Sequence, residues 1–257
     1  MAMFEDEYYD IVRKAMVGAG LHAADLAACA GFSVPDVQIL EAGAAAPNEA
    51  HLRAAAAVLG LSADKLADLA LRPEPPRAVT VPPPFERLAL ERAANCYILG
   101  DPETRQGVIV DPGDEPDRIV AAVESAGVAP AFILVTHGHG DHDGALAEVL
   151  RRWPVPVVRA EPGREFAVGG MRGRVREVPG HTEDSVVFIF DARRVAFTGD
   201  ALFARSLGGT RGGAAYRSLL DRVAAEILSL PPDTVLAPGH GPLTTAGDER
   251  RLNPFFP

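Results

Sequence analysis

Nine residues constrain this chain more than any others: the run Thr136-His137-Gly138-His139-Gly140-Asp141-His142-Asp143-Gly144. Residues 137–142 hold three histidines and a carboxylate. The preceding apolar run 131–135 is short, continuous and rich in branched and aromatic residues, which is the pattern of a buried strand. In the segment that follows, 144–153, Leu146, Val149 and Leu150 fall on one helical face. The polar cluster is therefore expected in a tight loop between the carboxyl end of a strand and the start of a helix. Neutral imidazole and carboxylate together are the ligand chemistry of zinc and its neighbours. Exposed or hydrogen-bonded loop histidines do not account for such density.

The other histidines extend the pattern. Of seven in the chain, three are in the cluster, and two more occur as Pro179-Gly180-His181 and Pro238-Gly239-His240. Both follow extended or apolar runs (175–178 and 234–237), so both are expected at strand ends. Thr198-Gly199-Asp200 closes a further strand-like run, 195–200. Four separate strand ends thus carry a candidate ligand. Asp111 also ends a strand, but is read as a residue supporting the ligands. Asp143 and Asp184, beside ligands, are read as solvated or supporting. His22 and His51 lie in helical sequence and are read as ordinary surface or partly buried residues.

Taken together, His137-x-His139-x-Asp141-His142, then His181, Asp200 and His240 resemble the metallo-β-lactamase superfamily over about residues 78–257. The resemblance implies an α/β protein with an αβ/βα four-layer sandwich. It implies that His137, His139 and His181 bind one divalent metal ion, that Asp141, His142 and His240 bind a second, and that Asp200 bridges them. Zinc is the expected metal, with iron or manganese as alternatives. Within the superfamily the likeness is to short glyoxalase II-type (hydroxyacylglutathione hydrolase-like) enzymes, through segments 197–203, 238–245 and 249–256. Two departures matter. The chain stops at Pro257, without the C-terminal helical domain that long relatives use to hold glutathione. And Ser206-Leu207-Gly208-Gly209-Thr210-Arg211 stands where relatives carry Gly-Arg-Thr-Asp or Gly-Arg-Ser-Asp.

The chemistry expected of such a site is hydrolysis by a metal-bridging hydroxide, since metal-bound water loses its proton near neutral pH. Asp141 is the expected catalytic residue, a ligand that also orients the hydroxide. No Gly-x-Ser-x-Gly elbow is present. A thioester suits the site because a thiolate leaves without much protonation. Other classes stay open: a persulfide dioxygenase with a single iron on His137, His181 and Asp200, a lactonase, a single-stranded RNA nuclease, and a metal-containing regulator. Against the dioxygenase, the loop after Asp200 lacks that family's cysteine. With 25 basic and 35 acidic residues, net -10, the chain is poorly suited to broad nucleic-acid binding. A small-molecule substrate is expected.

Residues 1–72 form a different region, a small all-helical domain without catalytic motifs. Helices are expected over 11–17, 23–30, 34–43, 48–59 and 62–71, with Ser33, Asn48 and Ser62 as N-caps. The stretch 21–70 resembles a Cro/repressor-type helix-turn-helix. Residues 21–72 carry three basic against six acidic side chains, and the recognition-helix position offers Asp36, Gln38 and Glu41. DNA readers need a basic footprint, so packing on the enzyme or self-association into a homo-oligomer is expected instead. Residues 73–84 form a proline-rich linker, and 78–257 the hydrolase domain. Strands are expected at 78–81, 87–90, 95–99, 107–111, 131–135, 155–158, 173–178, 185–190, 195–197 and 234–236, with helices at 116–126, 144–153 and 216–228. The acidic start, 1–10, lacks the basic and apolar parts of a signal peptide, and no apolar run is long enough to span a bilayer. A cytoplasmic protein with Cys29 and Cys96 as small buried thiols is expected.

Overall fold

A computed structural model describes residues 4–44 and 46–257. Five helices come first: α1 (Tyr8–Ala19), α2 (Ala23–Ala30), α3 (Val34–Ala42), α4 (Glu49–Leu59) and α5 (Ala63–Leu71). Ser33 Oγ accepts from Asp36 N, and Asn48 Oδ1 accepts from Ala50 N and His51 N, so two of the expected caps form. Ser62 occupies the third N-cap position without a side-chain bond. Glycines in the left-handed conformation end the first four helices.

The hydrolase region runs β1 (Phe85–Leu88), β2 (Cys96–Gly100), β3 (Gln106–Val110), α6 (Pro116–Ala126), β4 (Ala129–Leu134), the single turn α7 (Gly140–Asp143), α8 (Leu146–Arg152) and β5 (Val157–Val158). It continues β6 (Glu165–Val168), β7 (Met171–Glu177), β8 (Val186–Phe190), β9 (Val195–Gly199), β10 (Leu202–Phe203), β11 (Ser206–Leu207), α9 (Gly213–Arg222) with a π-turn at Val223–Ile227, β12 (Val235–Pro238), β13 (Thr244–Thr245) and α10 (Ala246–Leu252). One sheet has the order β1-β2-β3-β4-β5, the other β13-β12-β9-β8-β7-β6, and β10-β11 is a separate hairpin.

Alternation along the strands builds the layers. In β2, Tyr97 and Leu99 face the second sheet, meeting Phe188, Phe190 and Phe197, while Cys96 and Ile98 face α6 and α8 through Ile119, Val123 and Val149. Val187, Ile189, Ala196 and Leu236 point out of the second sheet into a third cluster with Leu219, Ile227 and the helices α1–α5. The four layers are the αβ/βα sandwich. Truncating a fully buried ring such as Phe188 to alanine costs about 3–5 kcal/mol.

The N-terminal helices thus share a continuous apolar cluster with the outer face of the second sheet. At that contact a side chain on Gly18 would lie 2.4 Å from the Tyr216 ring, so only glycine lets α1 and α9 approach so closely. Lys65 Nζ donates to Arg250 O at 2.9 Å and Ser62 N to Pro254 O at 2.8 Å, joining α5 to the C-terminal segment.

Several expectations need correction. Residues 78–81 form no strand: prolines at 82–84 supply no N–H to a ladder. The strand expected at 87–90 is shifted to 85–88, paired antiparallel with β2. The helix expected over 144–153 forms as Leu146–Arg152, starting two residues later because the Ala145 N–H donates to Pro112 O. Cys29 is exposed, whereas Cys96 is buried. α2 buries only Leu26 and Ala27, and Cys29 lies about 110° round the helix from their midpoint. β6, β13 and α10, with the β10–β11 hairpin, were not anticipated; all are short. No described helix is long and apolar enough to cross a membrane.

Candidate metal centre

The strand directions bring the expected loops to one edge. β3, β4 and β5 are parallel, β12 is parallel to β9, and β7 runs the same way as β9 because each is antiparallel to β8. Their carboxyl ends carry Asp111, the 136–142 loop, His181, Asp200 and His240, the place where open α/β sheets hold their ligands.

Three groups of converging donors result: His137, His139 and His181; His137, His142 and Asp200; and Asp141, His142 and His240. In the first, His137 Nε2 lies 3.0 Å and His181 Nε2 3.1 Å from His139 Nδ1. Nitrogens bound to one tetrahedral zinc would be about 3.3 Å apart. In the third, Asp141 Oδ2 is 3.8 Å from His142 Nε2 and 3.2 Å from His240 Nε2. Asp200 lies between: Oδ1 is 3.2 Å from His142 Nε2, and Oδ2 is 3.6 Å from His181 Nε2 and 3.7 Å from His240 Nε2. His142 Nε2 and Asp200 Oδ1 are buried and make no hydrogen bond. Buried polar atoms without partners are rare and costly, and these two point into the gap where a cation would sit. The donor set therefore fits divalent metal ions.

Neighbouring groups fix the ring orientations. Asp111 is buried with φ 51° and accepts from Thr136 N and Thr136 Oγ1, each at 2.8 Å. Its Oδ2 is 2.9 Å from His142 Nδ1, which leaves Nε2 facing the gap. This is the carboxylate–imidazole pairing that orients metal ligands, and it gives Asp111 the supporting role read from its position. His181 Nδ1 donates to Gly209 O at 2.8 Å, turning Nε2 inward. Asp143 pairs with Arg159 at 2.8 Å, and Asp184 is exposed. A Cβ on Gly239 would lie 2.3 Å from Asp200 Oδ1 and 2.6 Å from His142 Cε1, so glycine is required beside the donors. His22 is exposed, His51 is half-buried and stacked on Phe32, and neither belongs to a donor group.

Burial, with the charge of neighbouring His142, pushes His137 down to about 4. Burial also opposes protonation of His142, but Asp111 and then Asp200 outweigh it and raise that imidazole to about 10. Asp200 is held well below the ordinary carboxylate range: burial raises it, and the imidazoles of His142, His240 and His137 overcome that.

Three supporting features had no sequence signal. Asn95 N donates to Gly239 O at 2.6 Å, and Tyr97 Oη to Pro238 O at 2.7 Å, fixing the His240 loop. Ala94 N donates to Asp141 O at 3.0 Å. From α1, Lys14 Nζ donates to Leu207 O at 2.7 Å and lies 5.1 Å from the centre of the Phe203 ring, which packs edge-on to His240 at 5.9 Å. A cleft of about 920 Å³ opens from His139 and His181, lined further by Thr182, Glu183, Arg211 and Ser218.

With this geometry in hand, the chain belongs to the metallo-beta-lactamase superfamily, whose family model matches residues 89–169 and 156–240. It is a metal-dependent hydrolase of that superfamily. It is 31% identical over 198 residues to the hydroxyacylglutathione hydrolase GloC of Haemophilus influenzae, covering 63% of this chain and 92% of that protein. ETHE1 from Myxococcus xanthus superposes with a TM-score of 0.60 at 30% identity, covering 66% of this chain and 83% of that one. TTHA1623 in a di-iron-bound form superposes with a TM-score of 0.54 at 30% identity, covering 70% of this chain and all (100%) of that one.

Proposed function

We propose that the protein is a thioester hydrolase with a dinuclear centre, His137, His139 and His181 holding one metal, Asp141, His142 and His240 the other, and Asp200 bridging. The observation that carries this is the third donor group. A single-metal site needs none of Asp141, His142 and His240, yet all three converge, with His142 held by a buried carboxylate. That group weighs against a persulfide dioxygenase with a single iron, the reading that the likeness to ETHE1 keeps in view. The name of the Haemophilus relative supports a hydroxyacyl thioester as substrate, and the di-iron form of TTHA1623 supports two metals. Zinc is the metal we expect.

When bound, two divalent cations supply a water acidic enough to attack near neutral pH and a Lewis acid for the carbonyl oxygen. The residues of the chain do the rest. Asp111 keeps His142 in one tautomer, and the Gly209 carbonyl does the same for His181. Asp141 has a side chain 39% exposed, so one carboxylate oxygen can ligate while the other orients the attacking water. The cleft lining has no acid other than Glu183 and the metal-ligand histidines, which suits a leaving group that departs as thiolate. Arg211 is the lone arginine or lysine in that lining and faces where an anionic thiol carrier would lie. A small-molecule substrate, a cytoplasmic location and no role in nucleic-acid binding complete the reading.

The test is metal analysis of the purified protein alongside a hydrolysis screen on S-D-lactoylglutathione, simple thioesters and lactones. Two metal equivalents with thioester turnover are expected. One equivalent of iron with oxygen consumption on glutathione persulfide would overturn the proposal in favour of the dioxygenase.

A further inference from the structure

A second cavity, of about 220 Å³, lies at the seam between the segment around Phe4, the proline-rich linker and α10. It shares no lining residue with the metal cleft. Its central feature is Arg205, in the two-residue turn between β10 and β11. The backbone there is left-handed, φ 63°, a conformation in which glycine would be unstrained. Arg205 is only 8% exposed. Its guanidinium lies 4.5 Å from the centre of the Phe4 ring. Among the described residues that guanidinium has no hydrogen bond and no ion pair; only the Arg205 backbone N–H is used, donating to Glu249 Oε2 at 2.9 Å. A guanidinium stacked on a ring still has its in-plane N–H fork free, the geometry that grips a carboxylate or phosphate with two parallel bonds.

The surrounding charges are mostly committed. Arg77 and Arg251 line the same cavity and share Asp248, at 3.5 and 3.0 Å. Glu249 accepts from Thr244 Oγ1, Asn253 Nδ2 and Arg205 N. Glu74, exposed at the rim, is the one lining carboxylate with no fixed partner among the described residues. Among the described residues that line the seam, the other charged side chains apart from Glu74 are paired or hydrogen-bonded, while the Arg205 guanidinium, on a residue only 8% exposed, is not. We propose that the cavity is a binding site for a small oxyanion, gripped by the Arg205 fork over the Phe4 ring, with Arg77 and Arg251 adding positive charge at the mouth. Inorganic phosphate and a small free carboxylate share this chemistry. The volume admits a molecule of that size. The occupant ties the Phe4 segment and the linker to the hydrolase, so its binding stabilises the fold whatever the metal centre does.

The test is thermal unfolding of the full chain with inorganic phosphate or malonate, against chloride at equal ionic strength. Binding at ten times the dissociation constant raises the midpoint by about 3–5 °C. The expected rise persists in Asp200→Ala, whose metal centre is disrupted, and is lost in Arg205→Gln. Arg205→Lys, which keeps the charge and loses the fork, shows a smaller rise; Glu74→Gln, which removes a competing carboxylate, shows a larger one. Whichever anion gives the larger rise is the source the site prefers. The proposal is overturned if neither anion raises the midpoint above chloride, or if Arg205→Gln keeps the full rise, which would locate the anion elsewhere, the metal centre included.

Discussion

The cleft and the seam each bury a carboxylate, and they treat it in opposite ways. Asp200 sits among imidazoles and is held below the ordinary carboxylate range; Glu249 is hydrogen-bonded only by neutral donors, and burial outweighs these bonds and the Arg205 charge to push it up to about 7. Both side chains lose water. The difference lies in what replaces it: positive charge in one case, hydroxyl, amide and backbone N–H in the other. Burial alone therefore does not mark a metal ligand. Convergence of several donors on a shared gap does, and Asp200 has that while Glu249 does not.

The largest effect is expected at Asp200, because both donor groups reach it. Asp200→Ala should lower metal content well below two equivalents and turnover by about a thousandfold or more, since each 1.4 kcal/mol lost is tenfold. Helical content from α1–α5 should be unchanged by circular dichroism. A protein that kept both metals would break the contrast drawn here, because Asp200 would then be an ordinary buried acid. Asp111→Asn comes next. It touches His142 but no gap-facing atom, so it should weaken the second metal by about 10–100-fold and spare the first. Titration of metal-free protein should then show two separated steps in place of the tighter pair. A change in both steps would show that Asp111 supports the whole centre.

How much of this was open to a reader of the sequence follows from the range of each interaction. The donors themselves sit in compact motifs at strand ends, so His137, His139, Asp141, His142, His181, Asp200 and His240 could be picked out, and the layers followed from the family resemblance those motifs carry; β2, β8 and β9 are buried along their whole length and show no alternation of polarity. Asp111 could be placed at a strand end, but its grip on His142 depends on β3 pairing with β4. Phe4 against Arg205 joins residues some two hundred apart with no motif at either end. Cys29 went wrong because one apolar stretch does not say which side of a short helix meets the core. The stretch 78–81, just ahead of the prolines at 82–84, has strand-forming residues and no ladder partner. Short elements such as β13 and α10 exist because the β12 edge and the linker are there to receive them.

A smaller effect belongs to Arg211 at the cleft wall. Reversing its charge in Arg211→Glu should raise KM for S-D-lactoylglutathione about tenfold, a change of about 1.4 kcal/mol. kcat, and all parameters for an uncharged thioester, should hardly change. Steady-state kinetics on the two substrates decide it. If both substrates suffered equally, the loop would be shaping the centre through Gly209 and His181, and the cleft would have no charge preference to set beside the seam.

The effect at Glu249 touches stability and leaves turnover alone, and its sign changes with pH in a defined window. The ordinary value is 4.5 and the folded value about 7. Between these, the folded chain keeps a proton that the unfolded chain has released, so stability falls as pH rises from 4.5 to 7, and the loss is complete above 7. Glu249→Gln removes that proton equilibrium while leaving an oxygen to accept from Arg205 N and Asn253 Nδ2, and Thr244 Oγ1 can turn to accept from the new amide. Relative to the unaltered protein, the variant should therefore be similar or slightly less stable at pH 5 and gain about 1–3 kcal/mol by pH 8.5. Denaturant unfolding of both proteins at the two pH values measures the difference, with every other pH effect cancelling in the comparison. A difference independent of pH would mean that Glu249 is ionised throughout, stabilised by Arg205 much as Asp200 is by its imidazoles, and the contrast between the two carboxylates would disappear.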